Sequence, residues 1–308
     1  MKNLLSVADL GADGLNEILD LTDHFVEVLG RPVPKVPVLN GRTVATLFYE
    51  DSTRTRVSFE TAAKRLSADT ISFAVKGSSV SKGESLRDTA LTLEALGPDC
   101  IVVRHPAAGA PHRVASWVDA SVINAGDGWN EHPTQALLDC YTIREVKGTL
   151  NGLRIAVVGD IKHSRVARSD VRAFTLMGAD VTLVAPPTLL PPSLTGWDVA
   201  VSHDLAEVLP KTDVLYLLRM QQERQHEALL PSLREYTARW GLTRDRMARL
   251  SEHAIVLHPG PMNRGVEIAG DAADVPASLI RRQVANGVAV RMAVLFMLLG
   301  GSGEAPSD

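Results

Sequence analysis

Residues 52–55 read Ser-Thr-Arg-Thr and fall at a corner between an apolar run, TVATLFY (43–49), and a helix-like stretch, VSFETAAKRL (57–66). Backbone N–H groups at a helix start, the positive end of its dipole, hydroxyl donors and a guanidinium fork together suit a phosphate. The same residues equally suit a helix N-cap flanked by solvated arginines. Arg54 and Arg56 are two apart on a helix and point in roughly opposite directions, so one serves an anion. Arg54 is assigned to that role, and Arg56 to a pair with an acidic neighbour.

Further donor clusters follow along the chain. Arg104-His105-Pro106 closes the apolar run CIVVRH. An arginine there faces the crevice in which parallel sheets hold ligands, unless it forms a surface ion pair. In GDGWNEHPTQALLD, Pro133 suits a first helical turn and His132 its cap, while His132 and Gln135, three apart, share a face and suit a carbonyl and an amide. The segment KGSSVSKGESLRD (76–88) places Lys82 in a polar, glycine-bearing stretch, where it needs something to bring it to a site. In VVGDIKHSRVARS, Gly159 stands alone where a dinucleotide-binding G-x-G-x-x-G would need three glycines, and Arg165 stands near the next helix start, where an anion could bind. LLRMQQER supplies Arg219 and Gln221, and LHPGPMNRG has two prolines that fix a turn and can hold backbone carbonyls toward a ligand.

These donors outnumber any base. No H-E-x-x-H, G-x-S-x-G, P-loop or convincing carboxylate pair occurs, so the site reads as one built to hold anions and polarise a carbonyl, without metal or cofactor. The net charge of −4 over 308 residues gives no general field for nucleic acid or anionic membrane. The first residues carry no signal-peptide core, and the longest strongly apolar run, Met292–Leu299, is too short to span a bilayer, which predicts a cytoplasmic protein. Cys100 and Cys140 have no metal-ligand spacing and lie in apolar contexts, as buried reduced thiols would.

The elements that must position these residues alternate. After a helix ending at Gly30, strand and helix patterns succeed one another: strands at 43–49, 70–75, 100–105 and 121–126, helices at 53–67, 85–97, 111–118 and 133–147. After KGTLNG the rhythm restarts with strands at 153–159, 180–186, 213–219 and 254–258, a helix at 164–177 and a mostly apolar last helix at 276–299. Alternation of this kind predicts an α/β fold of two doubly wound parallel-sheet domains. The expected bounds are 1–149 and 150–300, with the last helix packing back on the first domain and a flexible tail at 301–308.

Taken together, Ser52-Thr53-Arg54-Thr55-Arg56, Lys82-Gly83-Glu84, Arg104-His105-Pro106, His132-Pro133-Thr134-Gln135, Arg165, Arg219-Met220-Gln221 and His258-Pro259-Gly260-Pro261 resemble the catalytic chains of the aspartate carbamoyltransferase family. The likeness runs in order through the chain apart from the tail. It implies a carbamoyl-phosphate domain, an aspartate domain joined to it by interdomain helices, and transfer of a carbamoyl group to the aspartate amine, an early step of pyrimidine synthesis. It implies that Ser52, Thr53, Arg54 and Thr55 hold phosphate, that Thr55, Arg104 and His132 contact the carbamoyl oxygen, and that Gln135 holds the carbamoyl nitrogen. Arg165, Arg219 and Gln221 take the aspartate carboxylates, and the backbone at Gly260 and Pro261 contacts substrate. Gly260 stands where relatives often carry Leu or Ala, so only a backbone contact is implied there. Ser78 and Lys82 are, by the same likeness, supplied by a neighbouring subunit of a homotrimer with shared sites. A larger assembly with regulatory or dihydroorotase-like chains is left open. Ornithine carbamoyltransferase shares the first domain, but its site needs acidic residues and a cysteine where this chain has His258-Pro259-Gly260-Pro261.

Overall fold

The computed structural model describes residues 1–74, 83–221 and 229–300; the expected tail, 301–308, lies outside them. The chain divides into two compact units, Met1–Tyr141 with the residues from Val284 onward, and Thr142–Gln283.

The first unit opens on α1 (Gly11–Leu29), which buries Leu15, Ile18, Leu19, Phe25 and Val28 at helical spacing. There follow β1 (Thr43–Phe48), α2 (Thr53–Arg65), β2 (Asp69–Ala74), α3 (Leu86–Glu94), β3 (Cys100–His105), α4 (Ala110–Ala115), β4 (Ser121–Asp127) and the start of α5 (Pro133–Lys147). The sheet is wholly parallel, in the order β2-β1-β3-β4. Period-2 alternation puts Ala45, Leu47, Ile101, Val103 and Val122 on one face, against Ala90 and Leu93 of α3 and Val114 of α4. Each large aliphatic side chain so buried contributes about 1.5–3 kcal/mol relative to exposure. Cys100 and Cys140 are buried free thiols, and burial pushes the Cys100 thiol far up.

In the second unit β5 (Arg154–Val158), α6 (Arg165–Leu176), β6 (Asp180–Val184), β7 (Ala200–Ser202), α7 (Leu205–Val208), β8 (Val214–Leu217), α8 (Leu233–Trp240), α9 (Arg244–Met247) and β9 (Ile255–Leu257) lead to α10 (Ile280–Leu299). This sheet is also parallel, in the order β7-β6-β5-β8-β9. Residues of α5 and of α10 fall in both units, so two helices carry the chain from one to the other. The last helix is long and apolar enough by composition to cross a membrane, but 61% of its most apolar window is buried, as in a core helix.

The α/β class and both parallel sheets agree with the sequence pattern. The pattern misses β7 and the short helices α7 to α9. A three-residue edge strand with Ala200 and Val201 exposed carries no apolar run to announce it.

Each sheet has one point at which the chain turns back on itself: between β1 and β3 in the first, and between β5 and β8 in the second. The crevice beyond the carboxyl ends of such a pair is where doubly wound sheets bind ligands. Two loops meet there in the first unit. Gly128 donates its N–H to the His105 carbonyl at 2.9 Å. Its φ is +49°, and an added Cβ would stand 2.8 Å from the Pro106 oxygen and 2.9 Å from the Ala108 nitrogen. Only glycine lets the two backbones approach so closely. Gly128→Ala is therefore expected to cost about 1–3 kcal/mol in backbone strain before any clash is counted. Urea unfolding against the parent chain checks this, and an unchanged midpoint would refute it.

Candidate active site

In the first unit the carboxyl ends of β1, β3 and β4 lie side by side, with Phe48 in register with Arg104 and His105 with Asp127. Ser52, at the head of α2, makes no side-chain capping bond, whereas Ser85, Ser164 and Ser232 cap α3, α6 and α8 through their hydroxyls. The N-cap alternative open in the sequence is thus not how the Ser52 hydroxyl is used. Thr55 is buried one turn in, and Arg54 is exposed at the helix start. Arg56 turns away, with Nε 3.9 Å from the Glu60 carboxylate, which is the acidic pairing expected of it.

Arg104 is held from behind. Its Nε lies 3.3 Å from the Glu50 carboxylate, and Nη1 donates to the Ala125 carbonyl at 3.2 Å. The Arg104 side chain keeps only 14% of its exposure. His132, 4% exposed, precedes α5, and its carbonyl accepts from the Gln135 N–H at 2.9 Å. The Gln135 amide nitrogen donates to both Asp139 oxygens, at 3.2 and 3.1 Å, one turn further along α5. That contact directs the Gln135 carbonyl oxygen away from Asp139, leaving it as an acceptor for a substrate N–H.

The loops carrying these groups are tied by Asp127, which has no exposure. Its carboxylate accepts from Gly109 N at 2.6 Å, Asn124 Nδ2 at 2.9 Å, Asn130 Nδ2 at 3.1 Å and Glu131 N at 3.1 Å. Behind α2 and α5 lies a charge that sequence reasoning passed over. Arg291 of α10 is buried, donates to Ser58 Oγ at 3.0 Å and to the Gly287 carbonyl at 2.8 Å, and lies over the Phe59 ring. Burial pulls its guanidinium down to about 10, against the opposing pull of Asp139.

In the second unit Arg165 is the first residue of α6, which Ser164 caps, and is 5% exposed. Arg219 and Gln221 follow β8, and Gln221 Nε2 donates to the His163 carbonyl at 3.4 Å. Asp160 and His163, both buried, pair at 2.7 Å beside them. The turn after β9 is set by His258, whose Nδ1 accepts from Gly260 N at 2.8 Å, and Gly260–Pro261 is a cis peptide bond. Arg165, Arg219, Gln221 and Gly260 all lie beyond the carboxyl ends of β5, β8 and β9, three adjacent strands of one sheet. Ser78 and Lys82 lie outside the described residues.

A separate cavity of about 500 Å³ lined by His203, Asp204, Glu207, Arg239 and Arg246 contains none of these residues. Its Arg246 is committed to the carbonyls of Thr237, Ala238 and Gly241, at the end of α8.

Comparison with known proteins gives this arrangement a lineage. The family model for the aspartate/ornithine carbamoyltransferase carbamoyl-P binding domain matches residues 2–145, and that for the Asp/Orn binding domain matches residues 151–298. The chain belongs to the aspartate/ornithine carbamoyltransferase family. It is 62% identical to the aspartate carbamoyltransferase catalytic subunit of Parafrankia sp. (strain EAN1pec) over 98% of each chain. It is 61% identical to that of Thermobifida fusca (strain YX), over 100% of this chain and 98% of the other. Among solved structures it matches aspartate transcarbamoylase from Trypanosoma cruzi in complex with N-(phosphonacetyl)-L-aspartic acid, with a TM-score of 0.88, 33% identity, and coverage of 97% of this chain and 96% of that one. The catalytic subunit of M. jannaschii aspartate transcarbamoylase superposes with a TM-score of 0.85 at 38% identity, over 99% and 100% of the two chains.

For a carbamoyltransferase, what sequence reasoning missed are the acceptors behind the donors: Asp127, Asp139 and Glu267, together with Arg291. Asp139 carried a signal, since it lies four residues beyond Gln135 on one helix face. Asp127 and Glu267 carried none, because their partners are brought to them by loop and turn conformation and not by helical or strand spacing.

His105 offers a pH test of the first unit. Its Nδ1 accepts from Ala107 N at 2.9 Å, and burial holds its pKa below the usual histidine value. The unfolded chain then binds the proton first, so stability falls as pH drops through about 6.5. His105→Asn keeps an acceptor two residues before Ala107 and removes the titration. Its melting temperature should decline less between pH 7 and 5 than that of the parent chain; parallel curves would refute the assignment.

Proposed function

We propose that the chain transfers the carbamoyl group of carbamoyl phosphate to the amino group of L-aspartate, releasing N-carbamoyl-L-aspartate and phosphate. The observation that carries aspartate over ornithine is the charge pattern of the second unit. Arg165 and Arg219 stand at strand ends with Gln221, and no cysteine occupies His258-Pro259-Gly260-Pro261. Two guanidinium groups suit a dicarboxylate, and they repel a cationic side chain. The relatives named aspartate carbamoyltransferase support the same choice.

In this reading residues 1–149 bind carbamoyl phosphate and 150–300 bind aspartate. Ser52, Thr53, Arg54 and Thr55 hold the phosphate at the uncapped start of α2. Thr55, Arg104 and His132 donate to the carbamoyl oxygen, and the Gln135 carbonyl accepts from the carbamoyl nitrogen. Arg165, Arg219 and Gln221 hold the carboxylates, and the backbone at Gly260 and Pro261 completes that half. As the amine attacks, negative charge grows on the carbonyl oxygen, and each fixed donor aimed there is worth about 3–4 kcal/mol. Holding both substrates in attack geometry supplies roughly 7–11 kcal/mol more. The departing phosphate takes the amine's proton, so no protein base is needed. The reaction is placed early in pyrimidine synthesis, in the cytoplasm, in a homotrimer in which Ser78 and Lys82 reach a neighbouring subunit's site.

Purified chain should turn over carbamoyl phosphate with L-aspartate and not with ornithine; turnover with ornithine alone would sink the reading. Arg54→Ala and His132→Ala should each lower kcat by on the order of 10²–10³ with little change in melting temperature. Mixing inactive Lys82→Ala and Arg54→Ala chains should restore partial activity through hybrid sites, and verified mixed trimers without activity would refute sharing.

A further inference from the structure

Glu267 is 1% exposed, yet its carboxylate is used unevenly. Oε1 lies 3.2 Å from His258 Nε2 and also accepts the backbone N–H of Asn263. Oε2 is buried with no hydrogen-bond partner among the described residues. An unsatisfied buried acceptor is a cost, and when a fold keeps one the reason is often functional.

Two arms run outward from Oε1. Because His258 Nδ1 accepts from Gly260 N at 2.8 Å, the ring proton sits on Nε2 and points at Glu267. The imidazole is thus a strut between Glu267 and the turn at Gly260–Pro261. On the other side, Asn263 Nδ2 donates to the Met220 carbonyl at 3.1 Å, between Arg219 and Gln221. The hub is itself fixed, since the Glu267 carbonyl accepts from Leu242 N at 2.9 Å and Ile268 bridges to Leu242. The His258 backbone N–H is fixed as well, by Gln283 Oε1 at 2.9 Å.

We propose that Glu267 is a positioning residue for the amino-acid substrate: one carboxylate oxygen aligns the turn after β9 and the strand end after β8 with each other. The inference rests on the aspartate role given above to Arg219, Gln221, Gly260 and Pro261. A residue that merely stabilised the unit would affect both substrates or the melting temperature. Glu267 affects aspartate alone.

Steady-state kinetics of Glu267→Ala, Glu267→Gln and Asn263→Ala test it, with melting temperatures measured on the same samples. Glu267→Ala should raise the aspartate KM by on the order of 10–100-fold, as misplaced contacts do, with the carbamoyl phosphate KM unchanged. Glu267→Gln keeps an acceptor oxygen and should recover most of that loss. Asn263→Ala cuts one arm without touching the buried carboxylate, and should raise the aspartate KM by about 2–10-fold. It stands in if Glu267→Ala does not fold. Aspartate KM values equal to the parent's, or both substrates' KM values rising together with a lowered melting temperature, overturn the proposal while leaving the assigned reaction intact. A parent chain that does not carbamoylate aspartate overturns the reaction and this proposal with it.

Discussion

Four donors from separate turns of backbone converge on the fully buried carboxylate of Asp127, at the last residue of β4. One of them, Gly109, lies beyond β3; the others lie in β4 and in the loop before α5. A loop left to itself gives up on the order of 1–2 kcal/mol of conformational entropy for each backbone residue it orders. Here a single charge-accepting group orders two loops at once, and the residues they carry, Arg104 and His132, inherit that order. The remaining geometry of the first unit depends on it, because helix α5 starts from the loop that Asp127 holds.

The same arrangement recurs behind several other groups of the two crevices. Glu50 lies behind Arg104, Asp139 behind Gln135, and Asp160 pairs with His163, whose carbonyl takes Gln221. A ligand-facing arginine without a fixed acceptor keeps its rotamers and pays for them on binding. The acid groups therefore lie one layer below the cations, and the chain can be anionic as a whole, at −4, while its crevices present positive charge.

Much of this was legible in the sequence because it depends on local chemistry. Period-2 apolar runs gave the parallel strands, and the polar residues at their carboxyl ends gave the crevice. Thr53, Arg104, Pro133 and Arg165 stand at or beside element boundaries that turn chemistry marks. The caps of α8 and α9 are also written locally, in Ser232 and Thr243, but the helices they open, eight and four residues long, are too short to show a helical period. The Glu267 hub was not legible. Its partners are His258 and Asn263 by side chain and Leu242 by backbone, and neither the register of β8 with β9 nor the turn between Pro261 and Ile268 follows from periodicity.

Arg291 shows the limit most clearly. On sequence the last helix is apolar on most sides and reads as pure core. A guanidinium in that core costs several kcal/mol to desolvate, and burial alone would favour a hydrophobic residue of the same volume. It is retained where it donates to Ser58 of α2, stacks over Phe59 and lies in the field of Asp139 of α5. Asp139 in turn fixes the Gln135 amide, so the charge on α10 and the orientation of a donor on α5 are coupled through one carboxylate. A hydrophobic side chain at 291 would fill the space but would neither donate to Ser58 nor place a positive charge in the field of Asp139. The buried arginine is thus explained by the groups of α2 and α5 that it holds and faces, which no hydropathy pattern encodes.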